Sequence, residues 1–214
     1  EDQDIERNHS LGYLPLLKRH RPGFVIAMNE EFTSDLKELL ATFSSQIIIS
    51  GIGTTNAALA AQSLILKEKC NIIINIGIVG ALDKNLQQGD LCTPCNTMYH
   101  DADNSLILMG KEKLFSLDTS WNNNRKFKEV KTIVSGNTFI DKREKADLLM
   151  NDHGAAIVDM ESAALAHTCS MLDTPLVIMK VVSDYCDAPV FQLNTGYMDG
   201  IAPHLADYLK TLNI

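Results

Sequence analysis

Cysteine is scarce and irregularly placed: five in 214 residues, at positions 70, 92, 95, 169 and 186, an odd number that makes no disulfide framework. Cys92 and Cys95 form a lone CxxC on a segment that reads as a strand after a Gly-Asp turn. It has neither the strand-to-helix turn of a redox site nor a second pair of zinc ligands. No metal and no organic cofactor is expected. No apolar run reaches the roughly 20 residues that a membrane span needs. Positive charge is short as well: the formal net charge is −8, and the one cationic cluster, Lys18-Arg19-His20-Arg21, has no Phe, Tyr or Trp interleaved. Nucleic acid and membrane are therefore not expected partners. The P-loop pattern is missing, and Gly51-Ile52-Gly53 has Asn56 where a dinucleotide fingerprint needs its third glycine.

What remains is ordinary and informative. With 45% hydrophobic and 21% charged residues, the composition is that of a globular protein. Residues 1–22 read as a flexible N-terminal extension without the pattern of a secretory signal, and residues 23–214 as one domain. The expected location is the cytoplasm. Buried-looking strands alternate with helix-period segments: strands at Phe24–Ala27, Gln46–Ser50, Asn71–Ile76, Leu91–Thr97, Thr132–Val134, Ala156–Val158 and Leu176–Val182. Helices fall near Ser34–Thr42, Ala57–Lys69, Lys142–Asn151, Ser162–Met171 and Gly200–Leu212. Tyr99–Lys131 is polar and aperiodic, which predicts loops with short strands. The alternation predicts an α/β fold with a central sheet covered on both faces.

Several acids sit at predicted strand ends. Glu30 and Glu31 follow the first strand, Asp159 and Glu161 follow Ala156–Val158, and Asp184 closes the run that begins at Leu176. Taken alone, Glu30-Glu31 reads as an acidic first helical turn, Glu161 as charge on a helix N-terminus, and Asp184 as an N-cap. Gly51-Ile52-Gly53 reads as a tight turn or as backbone amides beside an anion or ribose. Yet a carboxylate ending a buried strand is costly unless paired or used. In a parallel-type sheet such ends converge on one crevice.

From Phe24 to the C-terminus the chain resembles the methylthioadenosine/S-adenosylhomocysteine nucleosidases, within the purine-nucleoside-phosphorylase-like superfamily. The resemblance rests on Ala27-Met28-Asn29-Glu30-Glu31, Ser50-Gly51-Ile52-Gly53, Gly89-Asp90, Tyr99-His100-Asp101-Ala102-Asp103, Val134-Ser135-Gly136-Asn137-Thr138-Phe139-Ile140, Val158-Asp159-Met160-Glu161 and Ser183-Asp184, in that order. It implies a single-domain three-layer αβα sandwich with a central twisted mixed sheet, acting on a purine nucleoside, as a homodimer. It further implies Asp184 as general acid toward the departing base and Glu31 as general base toward water. Glu161 and Gly53 would lie on the ribose side, with Met160 packed under the sugar. Phe139 would stack on the purine, whose edge the Ile140 backbone would hold. Met28, Ile52 and Phe191 would line the pocket for the 5′ substituent, and Ser183 and Lys180 would complete the substrate-binding set.

Two departures bear on this expectation. Ile76-Gly77-Ile78-Val79-Gly80 stands where the family has Thr-Gly-Ser-Ala-Gly, so an apolar side chain replaces a hydroxyl. The arginine and serine with which phosphorylases hold phosphate in this segment are missing, which favours water as the nucleophile. Four residues before Asp184 the family has arginine, and here Lys180 keeps the charge without the fork. The expected reaction is hydrolysis of an N-glycosidic bond. Phosphorolysis, or nucleoside binding with little catalysis, are the alternative readings.

Overall fold

The computed structural model describes residues 19–43, 46–103, 106, 114–189, 192–212 and 214. Its strands are β1 (Pro22–Ile26), β2 (Gln46–Ile49), β3 (Ile72–Ala81), β4 (Leu91–Tyr99), β5 (Phe115–Ser116), β6 (Lys128–Ser135), β7 (Ile157–Asp159) and β8 (Leu176–Asp184). The helices are α1 (Ser34–Ala41), α2 (Thr54–Leu66), α3 (Arg143–His153), α4 (Ser162–Met171) and α5 (Ala202–Thr211).

Successive side chains of a strand face opposite ways, and that alternation builds the layers. Phe24, Ile26, Ile72, Ile74 and Ile76 share one face with Leu36 and Leu40 of α1 and Leu205 and Leu209 of α5. Val25 and Ile73 share the other with Ala57, Ala60, Ala61 and Leu64 of α2 and Ala164 and Leu165 of α4. Each buried leucine contributes about 1.5–3 kcal/mol by leaving water. The alanines on α2 and α4 let these two helices pack against each other over the sheet. This is the αβα layering with a mixed central sheet that the sequence predicts.

Strands β1, β2, β3 and β8 run parallel, and β4, β6 and β7 are parallel among themselves. The second set runs against the first where β4 meets β8 and where β7 meets β3. The pairings β3–β8–β4–β6–β7–β3 therefore close into a ring of strands, which an open parallel-type sheet would not contain. Strand β3 also runs past its predicted end at Ile76 to Ala81, through the glycine-containing stretch Gly77–Gly80. It does so because β8 pairs with it to Gly80 and β7 pairs at Gly80 and Ala81.

Within Tyr99–Lys131 the described part contains the short strand β5, paired with β4, and an aromatic cluster. Trp121 packs edge-on to Phe127 at 5.2 Å and against Tyr208 of α5 at 5.5 Å. Residues 1–18 of the expected extension lie outside the described residues. The Asn71 side-chain amide ties down the stretch that follows: it donates to the Arg19 carbonyl at 2.9 Å and accepts the Arg21 N–H at 2.8 Å.

Candidate active site

After β1 the chain turns through Ala27 and Met28 into a single 3-10 turn, Asn29–Glu31, which swings Glu31 back over the strand end. Glu31 is 2% exposed. Its Oε2 accepts the N–H groups of Ala27 (3.1 Å) and Met28 (2.9 Å), and its Oε1 accepts that of Ile78 on β3 (2.9 Å). Burial raises its pKa, opposed by the Ile78 N–H and then by the Lys180 ammonium.

Glu161 stands at the end of β7. Its Oε1 accepts the Gly53 N–H at 2.9 Å, reaching across to the loop after β2. Gly53 has φ +106, a conformation that a side chain would strain, and this turns its amide toward the carboxylate. Burial and the neighbouring Asp159 charge push the Glu161 pKa up to about 7. The expectation that Glu161 charges the start of α4 is met by a different residue. Asp159 accepts both the backbone N–H and the hydroxyl of Ser162, as well as the Ser135 hydroxyl at 2.6 Å.

Asp184 ends β8 and caps no helix. Its Oδ2 lies 2.6 Å from the Ser183 hydroxyl, which is also 3.2 Å from the Val79 carbonyl, and its Oδ1 accepts the Cys186 N–H at 2.8 Å. Burial raises the Asp184 pKa against these two hydrogen bonds.

These groups meet at a cavity of about 270 Å³. Of the residues singled out in the sequence, Met28, Glu31, Ile52, Phe139, Ile140, Met160, Glu161, Ser183 and Asp184 line it. Gly53 takes part through its amide. Lys180, expected to touch substrate, is not in the wall. It is 1% exposed and pairs with Asp159 Oδ2 at 2.9 Å behind it. Burial works against the Lys180 charge, but Asp159, Glu161 and Glu31 together hold its pKa above the ordinary value. Phe191 lies outside the described residues.

Thr138, Cys186 and Leu193 also line the cavity and were not singled out. Asp159 was read only as part of an acidic motif. A lysine inside the apolar run Leu176–Val182 was the signal that a buried acid must answer it. Asn137 accepts the Thr54 N–H at 3.0 Å and donates to the Thr54 hydroxyl at 2.8 Å, so it ties the 134–140 segment to the glycine loop. Ile78 puts its side chain in the wall while its amide serves Glu31. All five thiols are free, and Cys92 and Cys95 lie within β4. Among the described residues, no group of three or more His, Cys, Asp or Glu is placed to hold a metal ion.

Sequence and fold place this cavity in a known class. A family profile for the phosphorylase superfamily matches residues 46–196, and the chain belongs to that superfamily. Within it, a 5′-methylthioadenosine/S-adenosylhomocysteine nucleosidase of Staphylococcus aureus is 33% identical over 195 residues, covering 76% of this chain and 85% of its own. One from Buchnera aphidicola is 35% identical over 159 residues, covering 64% of this chain and 61% of its own length, so the chain spans under two thirds of that relative. The Neisseria meningitidis enzyme of the same name, solved with methylthio-immucillin-A, superposes with a TM-score of 0.75 at 26% identity over 90% of this chain and 99% of its own. The chain is a member of the methylthioadenosine/S-adenosylhomocysteine nucleosidase family.

Proposed function

We propose that this protein hydrolyses the N-glycosidic bond of a purine nucleoside of the 5′-methylthioadenosine/S-adenosylhomocysteine type and releases the free base. One observation carries the reading: Glu31, Glu161 and Asp184 face a single, otherwise mostly apolar cavity from three different strand ends. Water attacks the anomeric carbon as its bond to the purine nitrogen breaks. Glu31 takes the proton from water, and Asp184 gives one to the imidazole-ring nitrogen of the base, so the purine leaves neutral. Glu161 holds the ribose hydroxyls, and its charge favours the oxocarbenium-like transition state. Phe139 stacks on the base, the Ile140 backbone binds its edge, and Met160 packs under the sugar. The 5′ group points toward Met28 and Ile52.

Water is favoured over phosphate because no Lys, Arg or His lines the cavity among the described residues. A phosphate there would lack charge-assisted hydrogen bonds and would face four acids, Glu31, Asp159, Glu161 and Asp184. The homodimer belongs to the same proposal. It is supported by the family resemblance and by Leu59 (60% exposed) and Leu66 (48%), seven residues apart on α2, with Ile52 (42%) just before the helix. Light scattering should return twice the chain mass, and a monomeric mass at micromolar concentration overturns that part. The cytoplasmic location is part of this reading as well, and no described helix is long and apolar enough to cross a membrane.

The deciding experiment follows base release from 5′-methylthioadenosine, S-adenosylhomocysteine, 5′-deoxyadenosine, adenosine and inosine, with and without phosphate. Release with free sugar, unchanged by phosphate and fastest for the first two, is the expected result. Release only with phosphate makes the protein a phosphorylase. Thermal stabilisation by these nucleosides without release makes it a binding protein.

A further inference from the structure

Lys180 is buried to 1% exposure and is not itself part of the cavity wall, although its partner Asp159 is. Its anchor, Asp159, is itself fixed by the hydroxyls of Ser135 and Ser162, so the ammonium sits on a rigid support. One ion pair leaves an ammonium with further capacity, since it carries three donors. Gly77 on β3 marks where the rest of its field is directed. A Cβ built on Gly77 would stand 2.9 Å from Glu31 Oε1 and 3.3 Å from Lys180 Nζ. The two charged ends thus converge on one spot that only glycine leaves empty.

We propose that Lys180 is a positioning residue for the water-activating carboxylate: anchored on Asp159, it faces Glu31 across the side-chain-free Gly77 and keeps that carboxylate ionised. The inference rests on the hydrolase reading above. The connection runs Ser135–Asp159–Lys180–Gly77–Glu31, through four strands of the ring to the end of β1. A lysine suits this geometry. Its charge is a point held on one anchored partner, and what acts on Glu31 is that charge, with no need of an arginine's fork.

The charged and titratable groups around Glu31 can be named. Lys180 comes from β8, with Asp159 and Glu161 from the end of β7, and Asp184 lies across the cavity. The 3-10 turn Thr195–Gly200, which packs on the Glu31 turn, carries half-buried Tyr197 and exposed Asp199. Glu30, on the same turn as Glu31, is exposed. Among these, the Lys180 ammonium is the one positive charge. Removing it strengthens the hold of Glu31 on a proton.

The test combines the pH dependence of kcat/KM with a carboxyl ¹³C NMR titration of Glu31. The proteins are wild type, Lys180→Met, Lys180→Met/Asp159→Asn and Lys180→Arg. The double variant removes the ion pair as a unit, so no unpaired carboxylate is left buried. Either Met variant that folds is sufficient. Its acid limb of kcat/KM should lie at higher pH than that of wild type by about one pH unit, the scale of one opposite charge at this range. KM should stay within about twofold, because Lys180 makes no substrate contact. The Glu31 titration should move upward in step, and Lys180→Arg, which keeps the charge, should keep both wild-type profiles. A folded Met variant with the wild-type pH profile and Glu31 titration overturns the proposal, as does a loss expressed in KM alone. A wild-type protein that releases no base overturns the hydrolase reading instead, and the NMR titration still decides whether Lys180 governs Glu31.

Discussion

At one side of the cavity Glu31 accepts three backbone N–H groups, whereas at the other Asp184 accepts one backbone N–H and one hydroxyl. A backbone N–H can only donate, so all three partners of Glu31 favour its ionised form. They leave about one of its four lone-pair sites for water. A hydroxyl can donate or accept. When Asp184 carries a proton, the Ser183 hydroxyl can turn its own proton to the Val79 carbonyl and accept from the acid. Burial raises both pKa values, yet the surroundings hold one group as a base and let the other serve as an acid. Which partners can reverse their hydrogen bonds therefore separates the two roles, since burial is common to both.

The contrast can be broken at four points. Glu31→Gln has the largest expected effect. Whichever way its amide turns, an NH₂ group confronts backbone donors, so hydrolysis should stop while nucleoside binding stays measurable. Stability should fall by about 1–3 kcal/mol, read by denaturant unfolding; full stability or normal turnover would refute donor-only wiring. Asp184→Asn should lower turnover by roughly 10²–10⁴. It should leave unfolding almost unchanged, because its amide can donate to Ser183; near-normal turnover rejects Asp184 as proton donor. Ser183→Ala is milder. It removes a hydrogen bond that favours ionised Asp184, so the alkaline limb of the rate profile should move to higher pH, and an unmoved limb separates Ser183 from the acid.

A fourth effect, on stability alone, arises at Glu161. Glu161 is pushed up to about 7, so the folded chain binds its proton more tightly than the unfolded chain does. That contribution is complete below the ordinary glutamate value and is lost as pH rises through about 7, a change on the order of 3 kcal/mol. Glu161→Gln should therefore gain several degrees in Tm relative to wild type on going from pH 5 to pH 8. An equal Tm difference at both pH values would sink this assignment.

The acids at the strand ends were legible because a carboxylate beside an apolar run has few inexpensive explanations. Phe24–Ile26 and Asn71–Ile76 were legible as well, since β-branched runs bounded by turn residues leave little choice. Closure of the ring was not, because it depends on β7 meeting β3 in reverse and β8 meeting β4, pairings between segments about 76 and 89 residues apart with no local mark. The place of Lys180 was misread for a related reason. Its place four residues before Asp184, where the family has arginine, implied a ligand contact, but its apolar neighbours on β8 keep it inside the sheet. The packing of Trp121 on Phe127 and Tyr208 likewise joins an aperiodic stretch to a distant helix, which no pattern within either could disclose.

The closed ring of strands has a consequence for how this site opens and closes in time. Every member strand is hydrogen-bonded on both sides, so β3 cannot peel away without parting from both β8 and β7. The Ile78 amide that holds Glu31 lies in that closed stretch. Its N–H is bonded to the Glu31 carboxylate, so its hydrogen exchange is expected to follow local opening of the 3-10 turn, while the strand-to-strand amides of the ring exchange only through global unfolding. The base can therefore leave its seat, but the seat itself lasts as long as the fold.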